Sequence, residues 1–555
     1  MSDAEKIPAQ DAGKGSPTGL VEVTGLTVEF GDLRAVDGLS FRLERGAALA
    51  LVGESGSGKS TVAAALLGLH RGTGARVGGA VEVAGVDVRK APEEALRRLR
   101  GGKAAMVFQD PLSSLDPYYA IGDQIAEVYR VHTRASRRAA RARAVQVLDR
   151  VGIPDAVRRS RSRPHEFSGG MRQRALIAMA LACEPDLLIA DEPTTALDVT
   201  VQAQILDLLH TLREETGTGL LLVTHDVGVA AESVDEVLVM RHGRAVEHGP
   251  VTAVLGSPAQ PYTRELLGAV PRVDAPRATA EASPEPPGDR AADVVLEASG
   301  LRREFGRGKR AFAAVDDVSL TIHRGETVGI VGESGSGKTT LGRMLVGLLE
   351  PTAGEVRYEG HARVGVDPSV QMVFQDPVSS LNPRRSVGES IADPLRARGE
   401  GDEGRIRGRV RELLERVGLE AAHYDRYPHE FSGGQRQRVG IARALAADPR
   451  LIVCDEPVSA LDVTTQAQVV ALLGELQREL GLALVFVAHD LAVVRQVSDR
   501  VAVMRRGRIV EEGAVDEVYD NPQDPYTKQL LAAVPALDPR VAAQRRAGRR
   551  ELAAV

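Results

Sequence analysis

The string VGESGSGK at Val52–Lys59 decides the fold of this chain, and the same string recurs at Val331–Lys338. In each copy an apolar, strand-like run precedes the string and an apolar, helix-like run follows it. With the next residue, Ser60 or Thr339, both copies match the phosphate-binding pattern G-x-x-x-x-G-K-[ST] in the strand–loop–helix context that it requires. Because two matches occur in that context, a chance glycine-rich turn is a remote interpretation.

The rest of the chain repeats around these two strings. The glycine-rich loops lie 279 residues apart (338 − 59), and the two copies of MVFQDP lie 266 residues apart (372 − 106). The first copy therefore has 13 additional residues (279 − 266) between these motifs, and we expect a surface insertion because loops tolerate changes of length. The repeated strings include MVFQDP at Met106–Pro111 and Met372–Pro377, HEFSGG at His165–Gly170 and His429–Gly434, and PYT from Pro261 and from Pro525.

The repeat and the changes of composition predict two large domains. The polar start of the chain is expected to be a disordered lead-in rather than a signal peptide, because it lacks an apolar run. The predicted segments are a disordered N-terminus (1–19), a first domain (20–271), a Pro- and Ala-rich linker (272–293), a second domain (294–538) and a basic C-terminal tail (539–555), expected to be a frayed, solvated helix.

The composition excludes several classes of protein. There are 70 basic and 76 acidic residues, and the net charge of −6 argues against a chain that coats nucleic acid. Two cysteines are too few for a disulfide scaffold, a four-cysteine zinc ribbon or a cysteine-bound iron–sulfur cluster. Cys183 and Cys454 are therefore interpreted as small buried apolar residues in a reducing, cytoplasmic setting. No run approaches the roughly 20 apolar residues that span a bilayer, so another chain is expected to supply any membrane crossing.

The glycine-rich loops predict a phosphate site in each half. Their glycines let backbone N–H groups point inward and form an anion nest at the N-terminus of the following helix. The loop lysine would reach the β- and γ-phosphates, and the hydroxyl group after it would ligate Mg²⁺. The residues assigned to these roles are Gly53, Gly56, Gly58, Lys59 and Ser60 in the first half and Gly332, Gly337, Lys338 and Thr339 in the second.

Two buried-strand patterns end in paired carboxylates. They are DLLIADE, which ends at Glu192, and RLIVCDE, which ends at Glu456. The aspartate of each pair, Asp191 or Asp455, suits the Mg²⁺ shell, usually through a water molecule. The glutamate that follows can orient and deprotonate an attacking water, so the two glutamates are candidate general bases.

Four other polar residues stand at the ends of strand patterns. By themselves, Gln109 and Gln375 fit solvated loop residues. His225 and His489 stand at the carboxyl edge of the predicted sheets, where ligands are contacted, although a lone histidine there is more often structural. Spacing alone does not decide between these interpretations.

The string SGG at Ser168–Gly170 and Ser432–Gly434 opens a helix pattern and, taken locally, fits an ordinary helix cap as well as an anion site. Together with the motifs above, however, the chain resembles the nucleotide-binding domain of ATP-binding-cassette (ABC) ATPases twice over, across about Leu20–Pro271 and Val294–Pro535. The resemblance implies an α/β fold: two tandem P-loop NTPase domains of the ABC type, each with a RecA-like α/β core, an antiparallel β subdomain and an α-helical subdomain.

The resemblance also implies roles for individual residues. SGG corresponds to the family's signature motif, the two glutamines to the Q-loops, Ala196–Asp198 and Ala460–Asp462 to the D-loops, and the two histidines to the switch histidines. In the family each ATP is held between the phosphate loop of one domain and the signature of the other, so this chain would form both sites from its own halves. Because neither half has lost a motif residue, two hydrolytic sites are expected.

The implied catalytic residues are Glu192, His225, Glu456 and His489. The implied nucleotide-binding residues of the first site are Phe30, which would stack on adenine, Gly53, Ser55, Gly56, Gly58, Lys59, Ser60, Thr61, Gln109 and Asp191, with Ser432, Gly433 and Gly434 from the second half. Those of the second site are Gly332, Ser334, Gly335, Gly337, Lys338, Thr339, Thr340, Gln375 and Asp455, with Ser168, Gly169 and Gly170, while Phe305 and Phe312 compete for the adenine. The implied Mg²⁺ ligands are Ser60, Gln109 and Asp191, and Thr339, Gln375 and Asp455.

The strings VFQDPLSSLDP and VFQDPVSSLNP and the PYT segments resemble the ATPase subunits of dipeptide, oligopeptide and nickel importers. That resemblance implies ATP-driven import through two transmembrane permease subunits, whose coupling helices would dock near Pro111–Tyr119 and Pro377–Arg385. A solute-binding protein would act indirectly. The expected location is the cytoplasmic face of the cell membrane, as a peripheral protein without a nucleic-acid partner.

Peptide is the expected cargo, while nickel, glutathione-like molecules and other small solutes remain alternatives. A soluble tandem ABC ATPase that acts on ribosomes is a weaker alternative. Members of that class typically join their domains by a long charged helix, whereas the linker here is rich in proline.

Overall fold

The computed structural model of the protein describes residues 19–195, 197–274, 293–306, 311–362, 365–376, 380–459 and 461–554. Residues 1–18 of the predicted N-terminal segment and residues 275–292 of the predicted linker lie outside these ranges. Each half contains a four-stranded antiparallel sheet and a six-stranded, mostly parallel sheet surrounded by helices. The prediction of two tandem α/β domains is confirmed.

In the first half, the antiparallel sheet has the strand order Leu33–Leu43, Val21–Phe30, Arg76–Val83 and Val86–Asp87. The six-stranded sheet has the order Arg244–Pro250, Glu236–Arg241, Ala48–Val52, Gly219–Thr224, Leu187–Asp191 and Ala104–Val107, and only its first strand is antiparallel to its neighbour. The α-helices are Lys59–Leu66, Glu93–Leu99, Pro111–Ser114, Ile121–Thr133, Arg137–Arg150, Ala156–Arg159, Gly169–Leu181, Val199–Thr216, Val227–Ser233, Val251–Gly256 and Pro261–Ala269.

The second half repeats this order. Its antiparallel sheet runs Phe312–His323, Val294–Phe305, Ala353–Tyr358 and His361–Ala362, and its six-stranded sheet runs Val370–Val373, Leu451–Asp455, Ala483–Val487, Thr327–Val331, Arg500–Arg505 and Arg508–Ala514. The α-helices of its described residues are Lys338–Leu345, Val387–Ala397, Glu403–Arg416, Gly433–Ala446, Val463–Leu480, Leu491–Val497, Val515–Asp520, Pro525–Ala532 and Pro539–Ala554. Within the described ranges, no helix combines the length and the apolar character that a membrane crossing needs.

Strand Ala48–Val52 shows how the core of each half is divided. All five of its residues are buried, as expected for a central parallel strand that is covered on both faces. Ala50 belongs to a core shared with the helices, whereas its neighbours Leu49 and Leu51 belong to a core shared with the antiparallel sheet. This alternation follows from the two-residue period of a strand. The glycine-rich loop thus leaves a strand that is fixed from both sides.

The two halves pack against each other through reciprocal pairs of helices. Helix Val199–Thr216 of the first half contacts Pro525–Ala532 of the second, and Pro261–Ala269 contacts Val463–Leu480. Val199 itself belongs to a buried core that the second half mainly builds. The PYT helix of each half therefore covers the helix that follows the D-loop of the other half.

The segments after the PYT helices also cross between the halves, and we call residues 271–274 and 535–546 the arms. In the first arm, the Val273 carbonyl accepts a hydrogen bond from the buried Arg495, which also forms an ion pair with Asp520 at 2.8 Å. In the second arm, Arg546 donates to the carbonyl of Glu232 and lies 2.9 Å from Nε2 of His210. Each half is thus held by a segment of the other.

Three predictions need correction. The tail is helical as expected, but it is not a solvated helix, because Ala542 is fully buried and the helix contacts Val227–Ser233 of the first half. The additional residues of the first half include helix Glu93–Leu99, whose Leu96 and Leu99 are fully buried, so they are not merely a surface loop. Cys183 is partly exposed rather than buried, whereas Cys454 is buried as predicted, and burial raises the pKa of its thiol to about 12.

Candidate functional site

The glycine-rich loops wrap around their lysines. Lys59 Nζ donates hydrogen bonds to the carbonyl oxygens of Gly53 at 2.7 Å and Glu54 at 2.8 Å. Burial lowers the pKa of Lys59, although the nearby carboxylates oppose that effect. Gly58 has a φ of 96°, and a side chain there would collide with the Ala35 carbonyl oxygen, so this position requires glycine. The loop therefore keeps its lysine in a fixed, buried position.

Lys338 of the second half makes the same contacts, at 2.7 Å to the Gly332 carbonyl and 2.9 Å to the Glu333 carbonyl. Gly337 has a φ of 106°, and a side chain there would collide with the Ala314 carbonyl oxygen. Burial also lowers the pKa of Lys338. The two phosphate loops are thus alike in their contacts and in the backbone conformation that requires glycine.

The hydroxyl group after each lysine meets the first carboxylate of the strand-end pair. Ser60 Oγ donates to Asp191 Oδ1 at 2.9 Å, and Thr339 Oγ1 donates to Asp455 Oδ1 at 3.0 Å. Burial raises the pKa of Asp191, and the hydrogen bond from Ser60 partly opposes it. Each site thus places hard oxygen donors side by side, which is the donor set that Mg²⁺ prefers.

The candidate general base of the first half is held in a strained conformation. Glu192 has a φ of 47°, in the left-handed region, and its N–H donates to the Val223 carbonyl at 2.8 Å. Its carboxylate accepts from Gln109 Nε2 at 2.7 Å and from Thr195 Oγ1 at 3.1 Å, and it lies 3.1 Å from His225 Nδ1. Such backbone strain costs about 1–3 kcal/mol and persists only where the surroundings hold it.

Glu456 repeats this arrangement with one change. It also has a φ of 47°, and its carboxylate accepts from Gln375 Nε2 at 2.8 Å and lies 3.2 Å from His489 Nδ1. Ser459 stands where the first half has a threonine, and its hydroxyl donates to the backbone carbonyl of Glu456, at 3.1 Å. The second carboxylate therefore lacks this hydroxyl contact.

In each histidine–glutamate pair, the two side chains shift each other's pKa. Burial alone would lower the pKa of His225, but the hydrogen bond and charge of Glu192 outweigh it, and the pKa is raised. Burial alone would likewise raise the pKa of Glu192, but His225 outweighs it, and the pKa is lowered. The same directions hold for His489 and Glu456. Each glutamate is thus kept ionised, as a base must be.

Two cavities lie at the junction of the halves, one over each glycine-rich loop. Their volumes, 450 Å³ in the first half and 640 Å³ in the second, are within the range of small-molecule sites. The first is lined by the predicted residues Phe30, Ser55, Gly56, Gly58, Lys59, Ser60, Thr61, Gln109, Glu192 and His225. The second is lined by Ser334, Gly335, Gly337, Lys338, Thr339, Thr340, Gln375, Glu456 and His489.

Four predicted residues do not line the cavities but contact residues that do. Gly53 and Gly332 contact the lysines, and Asp191 and Asp455 contact the hydroxyl groups, but none of the four lines its cavity.

The aromatic candidates differ between the cavities. Phe30 lines the first cavity and makes an edge-on contact with His70 at 5.4 Å. Phe305 and Phe312 both line the second cavity, 6.0 Å apart. The Arg303 guanidinium lies over the Phe305 ring, whereas Phe312 is 62% exposed. Both phenylalanines of the second half therefore remain positioned for an adenine ring.

The signature serines are not brought to the phosphate loops. Ser168 and Ser432 cap their helices, each accepting at 3.3 Å from the N–H three residues on. Neither serine nor the glycines that follow line the two cavities. From the opposite half, each cavity receives D-loop residues instead: Leu461 and Asp462 in the first, and Leu197 and Asp198 in the second.

Two contacts between the halves were not foreseen from the sequence. Thr200 Oγ1 donates to Glu333 Oε1 at 2.9 Å, and Thr464 Oγ1 donates to Glu54 Oε1 at 3.0 Å. Each joins the residue after the first loop glycine to the start of the opposite D-loop helix. The sequence signal for these contacts was that the strings GES and LDVT, which contain the paired residues, are identical in both copies.

A third unforeseen contact involves the PYT motif. The Tyr526 hydroxyl accepts a hydrogen bond from the N–H of Glu333 at 3.0 Å, and burial raises the pKa of that tyrosine to about 12. The Arg505 guanidinium lies over the same ring, 4.7 Å from its centre. The C-terminal motif thus supports the backbone of the second phosphate loop.

Comparison with known families agrees with this geometry. A model described as ABC transporter matches residues 36–195 and 315–459. A second model, described as oligopeptide/dipeptide transporter, C-terminal region, matches residues 246–293 and 510–554. The two halves thus carry the same pair of matches in the same order.

Named relatives align along nearly the whole chain. Glutathione import ATP-binding protein GsiA of Salmonella choleraesuis (strain SC-B67) is 46% identical, covering 94% of this chain and 90% of the relative. The protein of the same name from Escherichia coli (strain K12) is 46% identical, covering 91% of this chain and 87% of the relative. A solved dimeric structure of the ATP-binding cassette MJ0796 bound to ADP and Pi is 32% identical, covering 40% of this chain and 98% of that chain, with a TM-score of 0.37.

The family matches cover more than half of the chain, and the relatives extend the likeness to both halves and to the C-terminal regions. The matched ranges include both phosphate loops and both strand-end carboxylate pairs. The chain belongs to the ABC transporter family and is a tandem ATPase subunit of an importer of the oligopeptide/dipeptide type.

Proposed function

We propose that this chain hydrolyses ATP at two composite sites and thereby drives the import of short peptides, glutathione among them, through two membrane permease subunits. The observation that carries the proposal is that each half ends in a region that matches the C-terminal region of oligopeptide/dipeptide transporters. In the second half, Tyr526 of this region binds the backbone of the phosphate loop. The names of the relatives, glutathione import ATP-binding proteins, support short peptides as the cargo.

The proposed chemistry of the first site uses groups that already converge. Lys59 and the backbone N–H groups of its loop would neutralise the β- and γ-phosphates. The oxygen of a water molecule attacks the γ-phosphorus, the bond from that phosphorus to the bridging oxygen of ADP breaks, and Glu192 accepts the proton. The hydrogen bonds from Gln109 and His225 orient the carboxylate for this task. Glu456 would act in the same way at the second site.

The oxygen donors of each site fit Mg²⁺. The ligands would be Ser60, Asp191 and Gln109 in the first half and Thr339, Asp455 and Gln375 in the second, together with phosphate oxygens. The bound ion would supply positive charge to the phosphates as negative charge shifts towards the leaving group.

The position of the signature motifs supports a closing movement. Because Ser432 and Ser168 lie outside the cavity linings while the D-loops already line them, ATP would draw each signature towards the opposite phosphate loop. An anion suits the exposed N-terminus of the helix that each serine caps. Closure would pull the permease contacts together, and hydrolysis would release them.

The permease contacts are proposed near Pro111–Tyr119 and Pro377–Arg385, next to Gln109 and Gln375. Leu112, Tyr118 and Tyr119 of the first segment are exposed, as an unoccupied docking surface requires. Attachment at these surfaces would place the chain at the cytoplasmic face of the membrane. A solute-binding protein would deliver the cargo to the permease and would not touch this chain.

The proposal is tested by reconstituting the full chain with the permease subunits that co-purify with it. We expect uptake of glutathione or a dipeptide into proteoliposomes when ATP is supplied on the side of the chain, and loss of uptake in the Glu192→Gln/Glu456→Gln double variant. Uptake of a nickel chelate alone would overturn the peptide assignment. ATPase activity that ribosomes stimulate and the permease leaves unchanged would overturn the importer assignment.

A further inference from the structure

Equivalent apolar residues, which we call the floor residues, precede the two segments proposed for permease docking, whereas the segments themselves differ. Leu69 and Leu348 occupy equivalent positions after the phosphate-loop helices, and both are exposed. Phe108 and Phe374 are likewise equivalent, since each directly precedes the Q-loop glutamine. In the second half these floor residues line a groove of 470 Å³ with Val366, Met372, Ser380 and Arg443. Such a groove suits the apolar face of an amphipathic helix.

We define rim 1 as residues 115–119, with the sequence LDPYY, and rim 2 as residues 381–385, with the sequence LNPRR. The rims begin seven residues after Phe108 and Phe374 (115 − 108 and 381 − 374), and they differ in chemistry. The formal charge is −1 at rim 1, from its single Asp, and +2 at rim 2, from its two Arg. Tyr118 and Tyr119 are 81% and 62% exposed, so rim 1 presents two aromatic rings to a partner.

Rim 1 is rigid although it is exposed. The Asp116 carboxylate accepts from the N–H of Tyr118 at 2.9 Å. Gln124 accepts from the N–H of Asp116 at 3.0 Å and donates to the carbonyl oxygens of Asp116 at 2.9 Å and Tyr119 at 3.0 Å. A partner therefore meets a surface that is already ordered, which lowers the entropy cost of docking.

Rim 2 is equally ordered but cationic. The Asn382 side chain accepts from the N–H of Arg384 at 3.0 Å, and the Arg385 guanidinium is fixed to Asp393 at 2.7 Å. Arg384 is exposed, and no carboxylate of the described ranges lies within ion-pair distance of it. Its charge is thus available to a partner, whereas that of Arg385 is neutralised within the chain.

We propose that the rims select two different permease segments and thereby fix the orientation of this chain on its permease. Rim 1 receives an amphipathic segment that carries a lysine or arginine over the tyrosine rings and beside Asp116. Rim 2 receives a segment that carries a carboxylate opposite Arg384. The alternative seating, with the halves exchanged, would oppose like charges at both rims and is disfavoured. This inference rests on the proposed function, because it assumes that permease segments occupy these grooves.

The first experiment is photo-cross-linking of the full chain to its co-purified permease subunits in lipid nanodiscs. The photoreactive residue p-benzoylphenylalanine is placed at position 118 or at position 384. We expect each position to label mainly one subunit, and the two positions to label different subunits, by about tenfold over the other. Equal labelling of both subunits from each position, or labelling of the same segment from both, would overturn the inference while leaving the importer function intact.

The second experiment reverses the charge at rim 2. Arg384→Glu should lower permease-stimulated ATPase activity about tenfold at low salt and leave basal activity unchanged, while Arg384→Lys retains stimulation. Raising the ionic strength should weaken stimulation of the unaltered chain more than that of an Arg384→Gln variant. An Arg384→Glu variant stimulated like the unaltered chain would contradict the inference. Failure of any permease to stimulate the unaltered chain would instead contradict the proposed function, and the inference with it.

Discussion

Glu192 and Glu456 have the same φ of 47°, and each is bound by a glutamine, at 2.7 and 2.8 Å, and by a histidine, at 3.1 and 3.2 Å. A short way along the chain from the two glutamines, the halves diverge to LDPYY and LNPRR. The difference is the one expected if hydrolysis places the same demand on both halves, whereas the proposed docking of the permease does not. Within the sites themselves, one departure is Thr195, whose hydroxyl contacts the glutamate carboxylate, whereas the hydroxyl of Ser459 contacts a backbone carbonyl.

The strongest test of the likeness between the sites is removal of each general base. Glu192→Gln and Glu456→Gln should each remove at least half of the ATPase activity, and the double variant should lose about 10²–10³-fold, because general-base catalysis contributes about that much. Turnover is measured in steady state, with binding of a fluorescent ATP analogue as the control for folding. A single variant with unchanged activity would show that only one half hydrolyses ATP.

The next largest effects are expected at the arms. Arg495→Ala should destabilise the protein by about 2–3 kcal/mol, because the Val273 carbonyl and the Asp520 carboxylate lose the guanidinium that binds them. Arg546→Ala should cost less, about 1–2 kcal/mol, because that residue is only partly buried. Thermal unfolding of the full chain measures both, with exposed Arg138→Ala as the matched control. Equal values for Arg546→Ala and the control would mean that the second arm adds no stability.

A smaller, symmetric effect is expected at the D-loop contacts. Thr200→Val and Thr464→Val each remove a hydroxyl that contacts a glutamate of the other half and the aspartate that caps its own helix. The lost hydrogen bonding, worth about 0.5–1.5 kcal/mol, should lower stability equally in the two variants. Thr133→Val is the control, because its hydroxyl bonds only within its own helix. Unequal losses from the two variants would break the equivalence of the two junctions.

The smallest effect is expected from pH, through the histidine–glutamate pairs. The histidine pKa values lie above the ordinary 6.5. The stability that the protonated histidines add to the fold is therefore complete below that pH and is lost as pH rises through the raised pKa values. The glutamate pKa values lie below the ordinary 4.5, so their part is present above that pH and is lost as pH falls. The difference in melting temperature between the unaltered chain and the His225→Gln/His489→Gln variant should therefore be largest between pH 4.5 and pH 6.5. A difference that grows above pH 8 would contradict the pairing.

Much of the fold was predictable because the same motifs occur in both halves of the sequence. The strand–loop–helix pattern at Lys59 and the DE strand end at Glu192 depend on local sequence, and their recurrence removed the alternatives. The structure places these residues as local patterning would suggest, with both lysines and both glutamates at the cavities over their loops.

Comparison of the two halves could not predict the contacts that join unlike parts of the chain. Arg546 occurs in a basic tail whose counterpart 264 residues earlier (510 − 246) is the Pro- and Ala-rich linker, and a basic segment taken alone fits a solvated helix. Leu96 and Leu99 belong to residues that only the first half has, so the repeat gave no information on their burial. The pairing of Glu54 with Thr464 depends on how two folded halves meet, which neither local pattern reports.

The crossed arms also change how the active assembly responds to dilution. Two separate ATPase subunits must find each other before a composite site can form, so their activity falls as they are diluted. In this chain the second half is always present at the effective concentration that covalent linkage sets, on the order of millimolar. Arg495 and Arg546 further restrict the separation of the halves. Formation of the composite sites is therefore expected to be a first-order event, independent of the concentration of the chain.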